Sequence, residues 1–178
     1  LEYARLGQVV SLFILPPATD AGPEMGADEF TTCRVEAVIQ GRSARPYTAV
    51  IEITAWSRRR WERAIDLMAH EAIYAAKLLS GELPTAVEEL CRSLGAPLLP
   101  PADEQFRWTC TCGIPSPCKH HAAAVELLVD RLIEQPLLAF NLRGNPHEVA
   151  MARLQEARTL HTHGQSTAHG AGGSSRVP

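Results

Sequence analysis

The sequence predicts an α+β fold: a small antiparallel sheet packed on a long helix, with further helices toward the C-terminus. Three observations carry this. Three runs before residue 55 have strand character, two of them alternating apolar and polar residues. A capped helical pattern spans 57 to 81. Helical apolar spacing then resumes beyond 118. With 178 residues, the chain suits one domain, or one domain with extensions. Hydrophobic residues at 46% and charged residues at 21% exclude wholesale disorder. No apolar run approaches the ~20 residues of a membrane-spanning helix. The formal charge of −3 excludes a globally basic nucleic-acid binder and leaves room for a local basic patch. Leu1 in place of a start methionine is expected of a fragment or a processed chain, and no secretory signal is read at the N-terminus.

Gly7 to Leu15 reads as the first strand. Residues 16–29 hold three prolines, two glycines and four acids without periodicity, and are expected to form a long mobile loop. From Phe30 to Gln40 the chain sets Cys33, Val35, Ala37 and Ile39 against Arg34, Glu36 and Gln40. After a turn-rich GRSARP at 41–46, Tyr47, Ala49, Ile51 and Ile53 share one face of a run ending at Thr54. Two such runs predict an antiparallel hairpin, which the first strand extends into a small sheet. Ser57 is an N-cap, Trp56 and Trp61 form a hydrophobic staple, and Gly81 is a C-cap glycine. Between them Ile65, Leu67, Met68, Ile73, Ala76 and Leu79 give a broad apolar face on a helix spanning about 34 Å. A second helix is expected from Pro84 to Leu94, stopped by Gly95. An extended segment follows at Phe106 to Cys112, then a helix over Lys119 to Glu134, a helical turn through Leu142, and a last helix from Pro146 to about Leu160. The organisation is therefore strands over 1–56, a helical segment over 57–95, a metal-bearing unit with C-terminal helices over 96–160, and a disordered tail over 161–178.

Five cysteines at uneven spacing do not form a disulfide framework. Cys33 and Cys91 fall on apolar faces and read as small core residues. Free buried thiols fit a reducing cytoplasm. The other three make a motif: Cys110-Thr111-Cys112, then GIPSP, then Cys118-Lys119-His120. Residues two apart on an extended segment point to one side, so Cys110 and Cys112 can aim at one point. Gly113, Pro115 and Pro117 favour a sharp return. Ser116 and Pro117 as N-cap and N1 then place Cys118 and His120 in a first helical turn, where positive potential favours a thiolate. Three thiolates and one imidazole suit tetrahedral zinc, and a filled shell makes the site structural rather than hydrolytic. His121 competes for the fourth place; the C-x-H spacing favours His120. Zinc with three thiolates carries a local charge of −1, so contact with phosphate has to come from surrounding arginines.

C-x-C followed by C-x-H leading into HHAAAVELLVDRL resembles the SWIM-type zinc finger. Together with AIYAAKLLSGELPTAVEEL (72–90), the PLLP lead-in, KHHAAAVELL (119–128) and FNLRG (140–144), the chain resembles bacterial SWIM proteins that accompany SWI/SNF-type helicases. The resemblance covers roughly residues 45 to 155. It implies a zinc-bearing accessory protein that binds DNA or other proteins, and no enzymatic activity. The acid-rich 16–29 loop and the basic helix start depart from that pattern.

Arg58, Arg59 and Arg60 sit in a first helical turn, where basic residues oppose the helix dipole. With Arg34, Arg42, Arg45 and Arg63 they give segment 30–63 a local balance of +4. Such a cluster either meets an anion, phosphate or an acidic partner face, or is an exposed and solvated surface. Trp108 is expected to pack over the metal site rather than stack on a base. His161, His163 and His169 offer casual metal affinity in the tail, and Glu126, Asp130 and Glu134 read as a solvated stripe. Two functions follow. One is a zinc-fixed interaction module docking on a SWI/SNF-type ATPase. The other is direct, sequence-nonspecific DNA binding through Arg42, Arg45 and Arg58 to Arg60. No P-loop, G-x-G-x-x-G, H-E-x-x-H or nucleophile elbow supports an enzyme. Zinc on Cys118 would also remove it as a thiol nucleophile.

Overall fold

The structure, a computed structural model, describes residues 8–17, 31–102 and 104–169, with side chains in the last helix described through His161. Most of the acid-rich loop and residues 170–178 of the expected tail lie outside the described residues. The fold is α+β. Strands β1 (Val9–Leu15), β2 (Thr32–Ile39), β3 (Tyr47–Thr54) and β4 (Arg107–Cys110) form one antiparallel sheet in chain order. The helices among the described residues are α1 (Arg58–His70), α2 (Ala72–Leu79), α3 (Thr85–Ser93), α4 (Lys119–Glu134), α5 (Leu138–Leu142) and α6 (His147–His169).

Alternation fixes the sheet. Cys33, Val35, Ala37 and Ile39 on β2 and Ala49, Ile51 and Ile53 on β3 are buried on one face, in a register running from Ile39↔Tyr47 to Thr32↔Thr54. In β1, strict alternation from Val9 would turn Leu12 outward. The register shifts between Val9 and Ser11, and this bulge brings Leu12 and Ile14 onto the same face as Val9. Helix α4 lays Ala124 and Leu128 across that face, making a first core with Leu12, Val35, Ile39, Ile51 and Leu142. A second core lies among the other helices, around Trp61, Met68, Leu78, Val87, Leu98, Phe140 and Leu154.

The expected long helix is two helices. Ser57 does cap it, accepting from the Arg60 N–H at 3.3 Å, and the Trp56 and Trp61 rings lie 4.5 Å apart as a staple. At Glu71, however, the backbone is extended (φ −91°, ψ 106°). Leu79 follows Trp61 by about five whole turns, so an unbroken helix would place it on the buried side. The break turns Leu78 inward instead, fully buried, and leaves Ile73 and Leu79 exposed. Periodicity had assigned those two to the core. The helix crossing the sheet is consequently α4, while α1 packs on α6. Helices α2 and α3 each end with a glycine at positive φ, Gly81 (89°) and Gly95 (68°). The Glu82 and Ala96 N–H groups there close onto Lys77 and Cys91 carbonyls. The last helix does not stop near Leu160: it continues to His169, so residues 161–169 are helical rather than tail. Low-complexity composition hid this. Its packing on α1, where Arg158 donates to the Ala69 carbonyl at 3.2 Å, supplies a tertiary anchor that composition does not record.

The two cores meet at Arg143, which is buried. Its guanidinium donates to both carboxylate oxygens of Glu104 (2.9 and 2.8 Å) and to the carbonyls of Pro97, Leu98 and Thr54. Its own carbonyl accepts from the Trp56 N–H and from Trp61 Nε1. Next to it, Gly144 has φ +83°, and a Cβ there would stand 2.8 Å from Ala55 Cβ. One residue thus joins β3, α1, the loop before β4 and the α5–α6 turn. Replacing Arg143 with Leu strands the Glu104 carboxylate in a nearly closed site. It is expected to lower stability by about 3–5 kcal/mol, measured by urea unfolding; a loss below about 1 kcal/mol contradicts the role.

Candidate metal centre

The site forms where β4 leaves the sheet and α4 begins. Strand β4 pairs with β3 from Ala49↔Cys110 to Glu52↔Arg107, and the pairing is extended by Thr111, whose N–H donates to the Thr48 carbonyl (3.1 Å) while its hydroxyl accepts from the Thr48 N–H (3.0 Å). Cys110 is therefore the last strand residue. Cys112 is not on an extended segment: the chain turns at Thr111 and Cys112, and Gly113 takes φ +70°. The turn still brings the thiols together. The helix also begins later than Ser116 and Pro117. Cys118 is the N-cap and Lys119 the first helical residue, because the ring of His121 at N3 reaches back to the Cys118 N–H (Nδ1 accepting, 3.1 Å). The GIPSP return consequently stays outside the helix.

The four candidate ligands converge. Cys112 and Cys118 Sγ are 3.6 Å apart, and His120 Nδ1 lies 3.6 Å from Cys110 Sγ and 3.7 Å from Cys118 Sγ. All four ligand atoms are within 4.8 Å of one another. Zinc bonds of about 2.3 Å to sulfur and 2.0 Å to nitrogen make a tetrahedron with edges of about 3.8 Å between sulfurs and 3.5 Å between sulfur and nitrogen. The Cys112–Cys118, Cys110–His120 and Cys118–His120 separations match those edges, and the remaining pairs lie within 4.8 Å. The Cys/His cluster thus suits a metal ion such as zinc, by both donor chemistry and spacing.

His121 is excluded from the shell by its own bonds. Nε2 lies 2.8 Å from the Thr109 carbonyl, which can only accept, and Nδ1 takes the Cys118 N–H, which can only donate. The ring is thereby fixed as the neutral Nε2–H tautomer with both nitrogens engaged, although Cys118 Sγ passes 3.3 Å from Nδ1. Its work is to pin the start of α4 to β4, which orients the two ligands beside it. Trp108 packs edge-on against this ring at 5.2 Å, as expected of apolar cover.

Electrostatics divide the ligand set. Burial pushes the Cys110 thiol up to about 12, with further upward contributions from hydrogen bonds to the Cys112 and Cys118 thiols. The Ile114 backbone N–H holds the Cys112 thiol below its ordinary value, aided by hydrogen bonds from the other two thiols. Burial, then the nearby charge of Lys119, lowers His120 and keeps its lone pair available. Two supporting residues escaped the motif. Tyr47 stacks on His120 with ring centroids 4.4 Å apart, and Gly41 makes room for it, since a Cβ there would approach Tyr47 Cε2 to 2.8 Å. The available signal was the alternation that set Tyr47 on one face with Ala49, Ile51 and Ile53, which does not show that it meets His120.

The arginines divide into two groups. Arg42 and Arg45 lie on the β2–β3 turn at the Tyr47 end of β3, and Arg58, Arg59 and Arg60 follow its Thr54 end, about 23 Å away along eight strand residues. All five are exposed; Arg58 pairs with Glu62 at 2.7 Å. The metal centre shares its end of the sheet with Arg42 and Arg45 only. Cys33 and Cys91 are buried, as core residues should be, and burial raises both thiols, to about 11 and about 12.

No family model matches the chain, and no solved structure matches it. A Mycobacterium tuberculosis protein named uncharacterized protein Rv2102 is 38% identical to it over 158 residues, a match taking in 88% of this chain and 51% of that protein. The chain therefore spans about half the length of that relative, whose name specifies no activity.

Two outcomes test the ligand assignment. Purified protein is expected to carry one zinc, lost in Cys112→Ser and His120→Ala, whereas His121→Ala keeps the stoichiometry and weakens zinc by about 10–100-fold, as for an outer partner of a ligand. Competition with a chelator measures this, and the reverse order would reassign the fourth ligand. Zinc affinity is expected to weaken as pH falls, because Cys110 holds its proton without metal and must release it on binding; calorimetry in buffers of different ionisation enthalpy reads that release.

Proposed function

We propose that the chain is a zinc-stabilised, non-enzymatic accessory module of the SWIM type, working in the cytoplasm by docking on a SWI/SNF-type helicase in DNA transactions. One observation supports the zinc-stabilised part of this reading: three thiols and one imidazole converge within 4.8 Å of one another, a donor set that can fill a tetrahedral zinc shell. Such a centre holds structure and does not activate a nucleophile. In this reading zinc clamps the turn after β4 onto the start of α4. That clamp presents the exposed 113–117 return beside the arginines of the β2–β3 turn as a rigid surface. No helix among the described residues is long and apolar enough to cross a membrane.

The exposure of Arg42, Arg45, Arg58, Arg59 and Arg60 favours a second reading, direct DNA binding independent of sequence. Their separation makes this a two-point contact with the phosphate backbone. Expected for the docking reading is co-elution with a SWI/SNF-type ATPase on gel filtration at low salt, abolished by Cys112→Ser; clean separation of the folded, zinc-loaded protein contradicts it. Direct binding instead predicts affinity falling steeply with salt. Replacement of Arg58, Arg59 and Arg60 by alanine should then flatten the log–log salt slope by up to about 0.9 per lost phosphate contact, equally for all sequences.

A further inference from the structure

A second cluster of ligating side chains, sharing no residue with the first, lies where the last helix packs on the first. Asp66 and His70 are one turn apart on α1 and so project from the same face. Opposite them α6 delivers His161, whose Nε2 stands 3.2 Å from Asp66 Oδ1 and whose ring centroid is 4.1 Å from that of His70, tilted by 45°. One ligand atom from each residue lies within 4.8 Å of the other two. The register is set one turn earlier, where Arg158 donates to the Ala69 carbonyl between the two α1 ligands.

From this geometry we propose that Asp66, His70 and His161 form a second divalent-metal site, open to solvent, that ties α6 to α1. A metal bonded at about 2.1 Å to nitrogen and oxygen requires ligand separations of about 3.0 Å in an octahedron and 3.4 Å in a tetrahedron. The one separation fixed here, 3.2 Å between His161 and Asp66, falls between them. Two imidazoles with one carboxylate and no thiolate make a set for borderline transition metals such as Ni²⁺, Co²⁺ and Zn²⁺, with Cu²⁺ bound most tightly. Asp66 and His70 are exposed and His161 half-buried, so water or an outside ligand completes the coordination. The chemistry contrasts with the thiol-rich centre, whose ligand set is filled. Without metal, the Asp66–His161 contact persists as an ion pair or hydrogen bond. Metal therefore replaces a proton between groups that are already neighbours.

The test is a titration of the full, zinc-loaded chain with Ni²⁺ and with Co²⁺, followed by calorimetry and thermal unfolding. Wild-type protein is expected to bind one further equivalent, with the added Co²⁺ giving no thiolate charge-transfer absorption, and to gain thermal stability on binding. His161→Asn, and separately Asp66→Asn, should weaken that equivalent at least tenfold and abolish the thermal gain while leaving the zinc in place. His163→Asn combined with His169→Asn should change neither. The proposal is overturned if wild-type protein takes up no further equivalent. It is equally overturned if His161→Asn and Asp66→Asn bind as wild type does, or if binding is lost with His163 and His169 instead.

Discussion

Three sulfurs and one imidazole nitrogen held within 4.8 Å of one another impose the constraint from which the rest of this molecule is organised. Thiolates so close repel one another, and protonated thiols gain little from the arrangement, so the convergence suits a cation at its centre. The surrounding structure is arranged to maintain it. Strand β4 is short and edge-paired, its last residue is a ligand, and the turn behind it is closed by Gly113 and by Thr111 bonding both ways to Thr48. On the helix side, His121 spends both ring nitrogens on fixing the first turn of α4 against the strand. The ligand-bearing helix then runs across the sheet as the main element of the first core.

The second core meets the first through Leu132, which packs against both, and through polar contacts. Arg143 brings a full charge into a nearly sealed space, which is tolerable because Glu104 and three carbonyls satisfy it. It fastens the helical half of the chain to the far end of the sheet, away from the metal ligands. The Cys/His cluster and this buried ion pair therefore lie at opposite ends of β3.

Much of the sheet was legible because half-buried strands write their faces into alternate residues: β3 was expected and found at Tyr47–Thr54, and the inward row of β2 was read directly. The candidate ligands were legible because metal chemistry constrains residue types at short spacing. Where sequence reasoning fell short, a tertiary contact decided the outcome. The break at Glu71 puts Leu78 rather than Leu79 in the core, which apolar periodicity alone does not distinguish. Helix α6 runs on past Leu160 although its composition reads as a tail. The later start of α4 depends on one ring of His121 choosing a backbone N–H over a metal. Arg143 entered the sequence reading only within FNLRG, since only the fold reveals that Glu104, thirty-nine residues away, pairs with it.

X-ray absorption at the zinc edge of the purified full chain tests the central claim most directly. Three sulfur neighbours at about 2.3 Å and one nitrogen at about 2.0 Å, with no oxygen, are the predicted shell. A shell containing oxygen, or one with fewer than three sulfurs in correctly folded protein, contradicts the account.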